Sequence, residues 1–254
     1  MYDDLERPPL RVRPLNRALV ADGWRVEVLA TTPSTNAVVA ERARAGEPAG
    51  LVVVAEQQSA GRGRLDRSWM SPARAGLTFS VLLRPELPTS RWGWLPLLSG
   101  VAVVRALREQ TGVDAVLKWP NDVLIDGRKV CGLLAEAVVP GAVVVGIGLN
   151  VTTRPAELPH EQATSLQLEG ATTTDRDTVL RAMLRELALV MQDVEAGVTG
   201  YRALCSTIGQ QVRVELPTGA VEGRADGVDD DGRLVVDGTA YGAGDVVHLR
   251  PVTP

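Results

Sequence analysis

The stretch AEQQSAGRGRLDRSW, residues 55–69, puts Arg62, Arg64 and Arg67 on a glycine-bearing segment that ends at Trp69. Glycine lets a backbone come close to a ligand, and arginine presents a planar fork of donors matched to carboxylate or phosphate. The pattern suits an anion site and equally suits a solvated loop. A second cluster, KWPNDVLIDGRKVCGLLAEA, carries Lys118, Trp119, Asn121 and Asp122 at a strand junction, then Lys129, Gly132 and Glu136 on the return strand. A lysine on an otherwise apolar strand is costly unless it meets an anion or water. The alternative is an edge-strand lysine in solvent. Period-two alternation predicts that Lys129 and Cys131 share a face. A third stretch, GIGLN at 146–150, closes an apolar strand. Gly146 and Gly148 would let the backbone approach a flat group and Asn150 supplies an amide, although strand-end glycines also mark bulges and bends.

The elements that must position these groups read as alternating strands and helices. WRVEVLA alternates like a half-buried strand, and TTPSTNAVVAERARAG reads as a helix that Ser34 or Thr35 can cap and Gly46 can end. LVVVAE and LTFSVLLR read as strands, so the arginine-bearing segment is the connection of about twenty residues between them, a length that is usually functional or disordered. WLPLLSGVAVVRALREQTG reads as a buried helix. VLKWP, NDVLID, KVCGLLAEAVV and AVVVGIGLNV follow as four strand-like pieces, with Asp126-Gly127 as a hairpin signal. From Asp175 onward, Val179, Leu180, Met183, Leu184, Leu187, Val190, Met191 and Val194 recur at helical spacing and mark a core stripe. After about residue 205, short strands separated by PTG, DDDG, DG and GAG predict a small β-barrel or sandwich. Residues 1–23 are polar and proline-bearing.

Several chemistries are disfavoured. A formal net charge of -4 over 254 residues argues against a general nucleic-acid surface. The two cysteines, Cys131 and Cys205, form no metal-ligand or disulfide pattern and fit a reducing cytoplasm. No apolar stretch of about 18 residues suggests a membrane span. A GxxxxGK[ST] loop and a GxSxG elbow are both missing, and His160 and His248 stand in loop-like and C-terminal contexts, which disfavours a histidine triad or a zinc enzyme.

Taken in order, STN at 34–36, Gln58 with GRGR at 61–64 and Trp69, KWPND at 118–122, Lys129 with CGLLAE, and GIGLN resemble the biotin protein ligases. The resemblance runs from about residue 24 to the end and is strongest to actinobacterial members. It implies an α+β fold, a central mixed sheet flanked by helices of the class II synthetase-like type, over residues 24–204. An SH3-like β-barrel would follow at 205–254, with 1–23 as an N-terminal extension. Many bifunctional relatives carry a helix-turn-helix domain ahead of the catalytic domain. With 33 residues before Ser34, a monofunctional ligase without repressor activity is expected.

The same resemblance implies a two-step reaction with ATP and biotin as substrates and Mg2+ accompanying ATP. Biotin is first converted to biotinyl-5′-AMP and then transferred to a lysine of a biotin carboxyl carrier domain of a carboxylase. Carried over motif by motif, Arg62, Lys129 and Asp122 are the catalytic expectations. Ser34, Thr35, Asn36, Gln58, Gly61, Arg62, Arg64, Lys129, Gly132 and Leu133 would form the biotin site. Arg64, Arg67, Trp69, Asn121, Lys129, Gly148 and Asn150 would form the nucleotide site, with Trp69 stacked on adenine and Asp122 near magnesium. No nucleic acid or membrane partner is implied. A lipoate ligase is the nearest enzymatic rival, but its RRxSGGG-type motif is missing; a ligand-binding regulator without transfer activity is the non-enzymatic one.

Overall fold

The computed structural model describes residues 6–64, 67–217, 219–242 and 244–249, and in it the apolar runs become two sheets that bury their faces in a shared core. The chain begins with α1 (Val12–Leu19), β1 (Arg25–Leu29), α2 (Thr35–Arg44) and β2 (Leu51–Ala55). The long connection contains a minimal hairpin, β3 (Gly61–Arg62) and β4 (Ser68–Trp69), before β5 (Gly76–Leu83) and α3 (Trp94–Thr111). Then come β6 (Ala115–Lys118), β7 (Asp122–Ile125), β8 (Arg128–Val139) and β9 (Ala142–Asn150), followed by α4 (Arg176–Gln192) and α5 (Val194–Leu204). The last strands are β10 (Gln211–Leu216), β11 (Gly219–Val228), β12 (Leu234–Val236), β13 (Thr239–Tyr241) and β14 (Asp245–His248).

The large sheet has the order β1-β2-β5-β9-β8-β7-β6. Parallel strands need a crossover, and α2 supplies it between β1 and β2; the other neighbours are antiparallel, so the sheet is mixed. Asp126 and Gly127 both take positive φ, +48° and +72°, which is the backbone a two-residue hairpin requires. Alternation along the strands divides the sheet into two faces. Phe79, Val81, Val145, Ile147 and Leu149 face the main core beneath α3 and α4, whereas Leu51, Val53, Leu82 and Val144 pack under α2. Because α2 is only 10 residues long, it covers one end of its face and leaves the other end open.

Three expectations are corrected. Lys129 and Cys131 do not share a face. Cys131 pairs with Val123 and Lys129 with Leu124, so Val130 is an inserted residue, and this bulge sends Cys131 into the core while Lys129 lies beside Gly132 on the open face. The segment before residue 24 is also more than a polar extension. Leu10, Leu15 and Leu19 are buried in the main core and α1 packs against β1 and α4; residues 1–5 lie outside the described residues. Finally, the C-terminal strands form an open antiparallel sheet, β13-β12-β11-β10-β14. Among the described residues no pairing joins β13 to β14, so the expected SH3-like barrel is present here as its five antiparallel strands without closure between the end strands. The strands at one end, β12 and β13, are three residues each.

This small sheet is locked to the large one. Val212, Val214, Ala225, Leu234 and Val236 join the main core. The indoles of Trp94 and Trp119 donate to the carbonyls of Asp230 (2.9 Å) and Gly232 (3.1 Å). Trp119 of the KWPND stretch is thus a docking peg for the C-terminal sheet. Among the described residues, no helix is long and apolar enough to cross a membrane.

Candidate active site

Over the open end of the sheet lies a cleft of about 760 Å³. Its floor is made by glycines. Gly132 on β8 pairs with Gly148 on β9, and Gly146 pairs with Leu134. A Cβ on Gly148 would stand 2.3 Å from the Trp69 ring and one on Gly146 would stand 2.2 Å from Asn36 Oδ1. Any side chain there would fill the cleft, so this is close approach rather than a bulge. Of the site residues expected from sequence, all but Gly61 line the cleft. Gly61 sits one layer out, where a Cβ would meet the Trp69 carbonyl and the Gln58 amide.

One end of the cleft is built mainly from uncharged side chains. Ser34 caps α2 by accepting the Ala37 N–H at 3.4 Å, which aims Thr35 and Asn36 of the first turn at the sheet. Gln58 Oε1 accepts the Thr35 N–H at 2.7 Å and its hydroxyl at 3.0 Å. Ser80 Oγ lies 2.7 Å from Thr35 Oγ1 and 2.6 Å from Asn36 Oδ1. Asn36 Nδ2 donates to Glu136 Oε2 at 2.6 Å, and the other Glu136 oxygen is 3.1 Å from Arg62.

The opposite end is charged. Lys129 Nζ stands 2.5 Å from Asp122 Oδ1 and 5.9 Å from the centre of the Trp69 ring. Arg64 donates to Asn121 Oδ1 at 3.3 Å, and Arg67 pairs with Asp245 of β14. Asn121 is held in turn through its Nδ2, which donates to the Leu133 carbonyl at 2.9 Å. Burial pushes the Arg64 guanidinium and the Lys118 ammonium below their ordinary pKa; for Lys118 the neighbouring Lys129 and Arg67 add to the shift, against Asp122 and Asp245. A region that holds this many cations, with some of them disfavoured in their charged form, is primed for an anion.

Trp69 packs against Gly132 and Gly148, and its indole Nε1 is buried without a hydrogen-bond partner. Asn150 donates to the Thr164 carbonyl at 2.9 Å at the cleft's edge. Sequence reasoning noticed Glu136 but gave it no role, and it missed Ser80 and Asp245 altogether. Ser80 is signalled by a hydroxyl on an otherwise apolar strand. Asp245 has no local signal, because its partner lies 178 residues away.

Residues 28–152 match the Biotin/lipoate A/B protein ligase family and residues 207–249 match the Biotin protein ligase C terminal domain. The chain is 45% identical to a biotin--[acetyl-CoA-carboxylase] ligase of Mycobacterium tuberculosis over 97% of this chain and 98% of that protein. It is 36% identical to the bifunctional ligase/repressor BirA of Bacillus subtilis, over 80% of this chain and 66% of that protein. Among solved structures, the biotin protein ligase from Aquifex aeolicus in complex with biotin and ATP superposes with a TM-score of 0.75 at 30% identity, covering 89% of this chain and 98% of that one. Fold and cleft together define an acyl-activating ligase of the biotin/lipoate class. Within that class, the chain belongs to the biotin protein ligase family.

Proposed function

We propose that the cleft joins biotin to ATP and then passes the biotinyl group to a carrier lysine of a carboxylase. The observation that carries this reading is a hydrogen-bonding slot and a cluster of five cations, Arg62, Arg64, Arg67, Lys118 and Lys129, lining one cleft. In the first step a biotin carboxylate oxygen attacks the α-phosphorus of ATP. The new bond is acyl O–P, and the bond to the bridging oxygen breaks to release pyrophosphate. In the second step a neutral lysine amine attacks the acyl carbon, the amide C–N bond forms, the C–O bond to AMP breaks, and the amine proton leaves to solvent.

Two anions must meet in the first step, and cations fixed in a low-dielectric cleft reduce their repulsion and stabilise charge at phosphorus. Lys129 and Arg62 take that role. Arg64 and Arg67 bind the nucleotide's phosphates, and Trp69 leaves the glycine floor to stack on adenine. Thr35, Asn36 and Gln58 bind the ureido ring, with Ser34 fixing the helix that carries them, while Gly61, Gly132 and Leu133 shape the slot. Gly148 and Asn150 border the nucleotide. Loop 57–75 excludes water that would otherwise hydrolyse the mixed anhydride.

Magnesium enters as the ATP complex. Among the described residues no group of three or more His, Cys, Asp or Glu could hold a metal, and the Asp122 carboxylate is engaged by Lys129. When ATP is bound its phosphate oxygens would supply most of the ion's ligands, with Asp122 as the nearby carboxylate. The acceptor is a biotin carboxyl carrier domain, and the buried free thiols Cys131 and Cys205 suit a cytoplasmic setting. Mass spectrometry of a purified carrier domain incubated with this protein, biotin and MgATP tests the whole reading. A gain of one biotinyl group is expected, and an unmodified carrier would overturn it.

A further inference from the structure

Glu56 follows β2 and Gly76 opens β5, so these two residues are the posts between which loop 57–75 hangs. The Arg74 N–H closes the loop's base by donating to the Glu56 carbonyl at 2.8 Å. Arg176, the first residue of α4, grips both posts: its Nη1 donates to Glu56 Oε2 at 2.7 Å and to the Gly76 carbonyl at 3.2 Å. The side chains of Arg176 and Glu56 are only 5% and 9% exposed. The N-terminal segment completes the grip. Arg176 Nη2 donates to the Pro8 carbonyl at 2.6 Å, and Glu56 Oε1 accepts the Leu10 N–H at 2.7 Å. Further back, Arg7 pairs with Glu157 at 2.7 Å and donates to the Thr152 carbonyl at 2.9 Å, two residues beyond Asn150.

A buried ion pair is a poor device for stability alone, since well-packed apolar residues usually serve as well or better. Its value lies in direction. Three of the four contacts are donated by the one planar Arg176 fork and the fourth by the Leu10 N–H, and together they set the separation of the loop's ends. Fixing those ends narrows the set of conformations through which Arg62, Arg64 and Trp69 must search for the cleft.

We infer that Glu56 and Arg176 are positioning residues for adenylate formation, holding with the strap 7–10 the base of the ligand loop. The inference rests on the reading that loop 57–75 holds biotin and its adenylate. It is tested in the full chain by comparing Glu56→Gln with Leu187→Ala, a buried α4 change that loosens the core away from the loop. Biotin KM and kcat for pyrophosphate release are measured at a temperature where circular dichroism shows both variants folded, alongside their thermal midpoints.

Glu56→Gln should raise the biotin KM about tenfold with a smaller change in kcat, while Leu187→Ala, with an equal or larger loss of midpoint, should stay within about twofold of wild type. If Glu56→Gln fails to fold, Glu56→Leu/Arg176→Met removes both charges and takes its place under the same criterion. An unmoved KM in the clasp variant, or an equal rise in Leu187→Ala, overturns the inference while wild-type turnover leaves the underlying reading intact. Wild type that releases no pyrophosphate in response to biotin sinks both.

Discussion

At one end of the cleft Thr35, Gln58, Ser80 and Asn36 satisfy one another through hydrogen bonds, while at the other Lys129, Arg64 and Arg67 lean on Asp122, Asn121 and Asp245. The neutral end has its geometry set before any ligand arrives. The charged end is held by groups, two of them carboxylates, whose oxygens stand where ligand oxygens would compete for the same cations. This difference assigns different work to the two ends. Groups that bind ground state and transition state alike govern KM, and groups that meet charge appearing during transfer govern kcat.

The sharpest way to break that division is Lys129→Ala. The side chain is 29% exposed and contributes charge rather than packing, so the fold should persist. Pyrophosphate release should fall by about 100-fold or more, the usual cost of removing one preorganised transition-state donor. Circular dichroism and pyrophosphate release measured together check it. A rate near wild type would remove Lys129 from the chemistry and erase the contrast.

Arg64→Gly asks whether the charged end also retains what it makes. Arg62 and Lys129 remain to form the adenylate, but the Arg64 fork that reaches Asn121 is lost. Biotinyl-AMP should escape and acylate lysines of a bystander protein, giving about a tenfold gain in streptavidin signal on serum albumin. Normal adenylate formation with no extra labelling would mean that the loop binds but does not retain.

The parts of this cleft were visible in the sequence as local motifs, glycines on a strand, arginines on a loop and a lysine on an apolar strand, and the resemblance to the biotin protein ligases joined them into one site. The strands of the large sheet were legible as apolar runs and the β7-β8 hairpin as the Asp126-Gly127 turn, whereas the order of the strands emerged only from the fold. What was hidden depended on tertiary contact. The Val130 bulge inverts the face of Cys131 without any unusual residue type. Only Leu10, Leu15 and Leu19 betray that the polar N-terminal segment is packed. Trp119 looked like part of a ligand motif, yet its indole is spent on Gly232 of the C-terminal sheet. Asp245 meets Arg67 only because that sheet docks at the cleft.

The mildest test falls on the neutral end. Gln58→Leu keeps similar bulk but removes the acceptor for the N–H and hydroxyl of Thr35, which is only 2% exposed. A buried donor left unpaired costs about 1–3 kcal/mol. Part of that cost is relieved if the Thr35 hydroxyl turns wholly to Ser80, 2.7 Å away. Because no charge is lost near phosphorus, the loss should appear as a rise of about five- to tenfold in biotin KM, with kcat within about twofold of wild type. Steady-state pyrophosphate release over a range of biotin concentrations separates the two constants. If kcat falls as steeply as the affinity, Thr35 and Gln58 act on the transition state as well, and the two ends of the cleft do not divide the work between them.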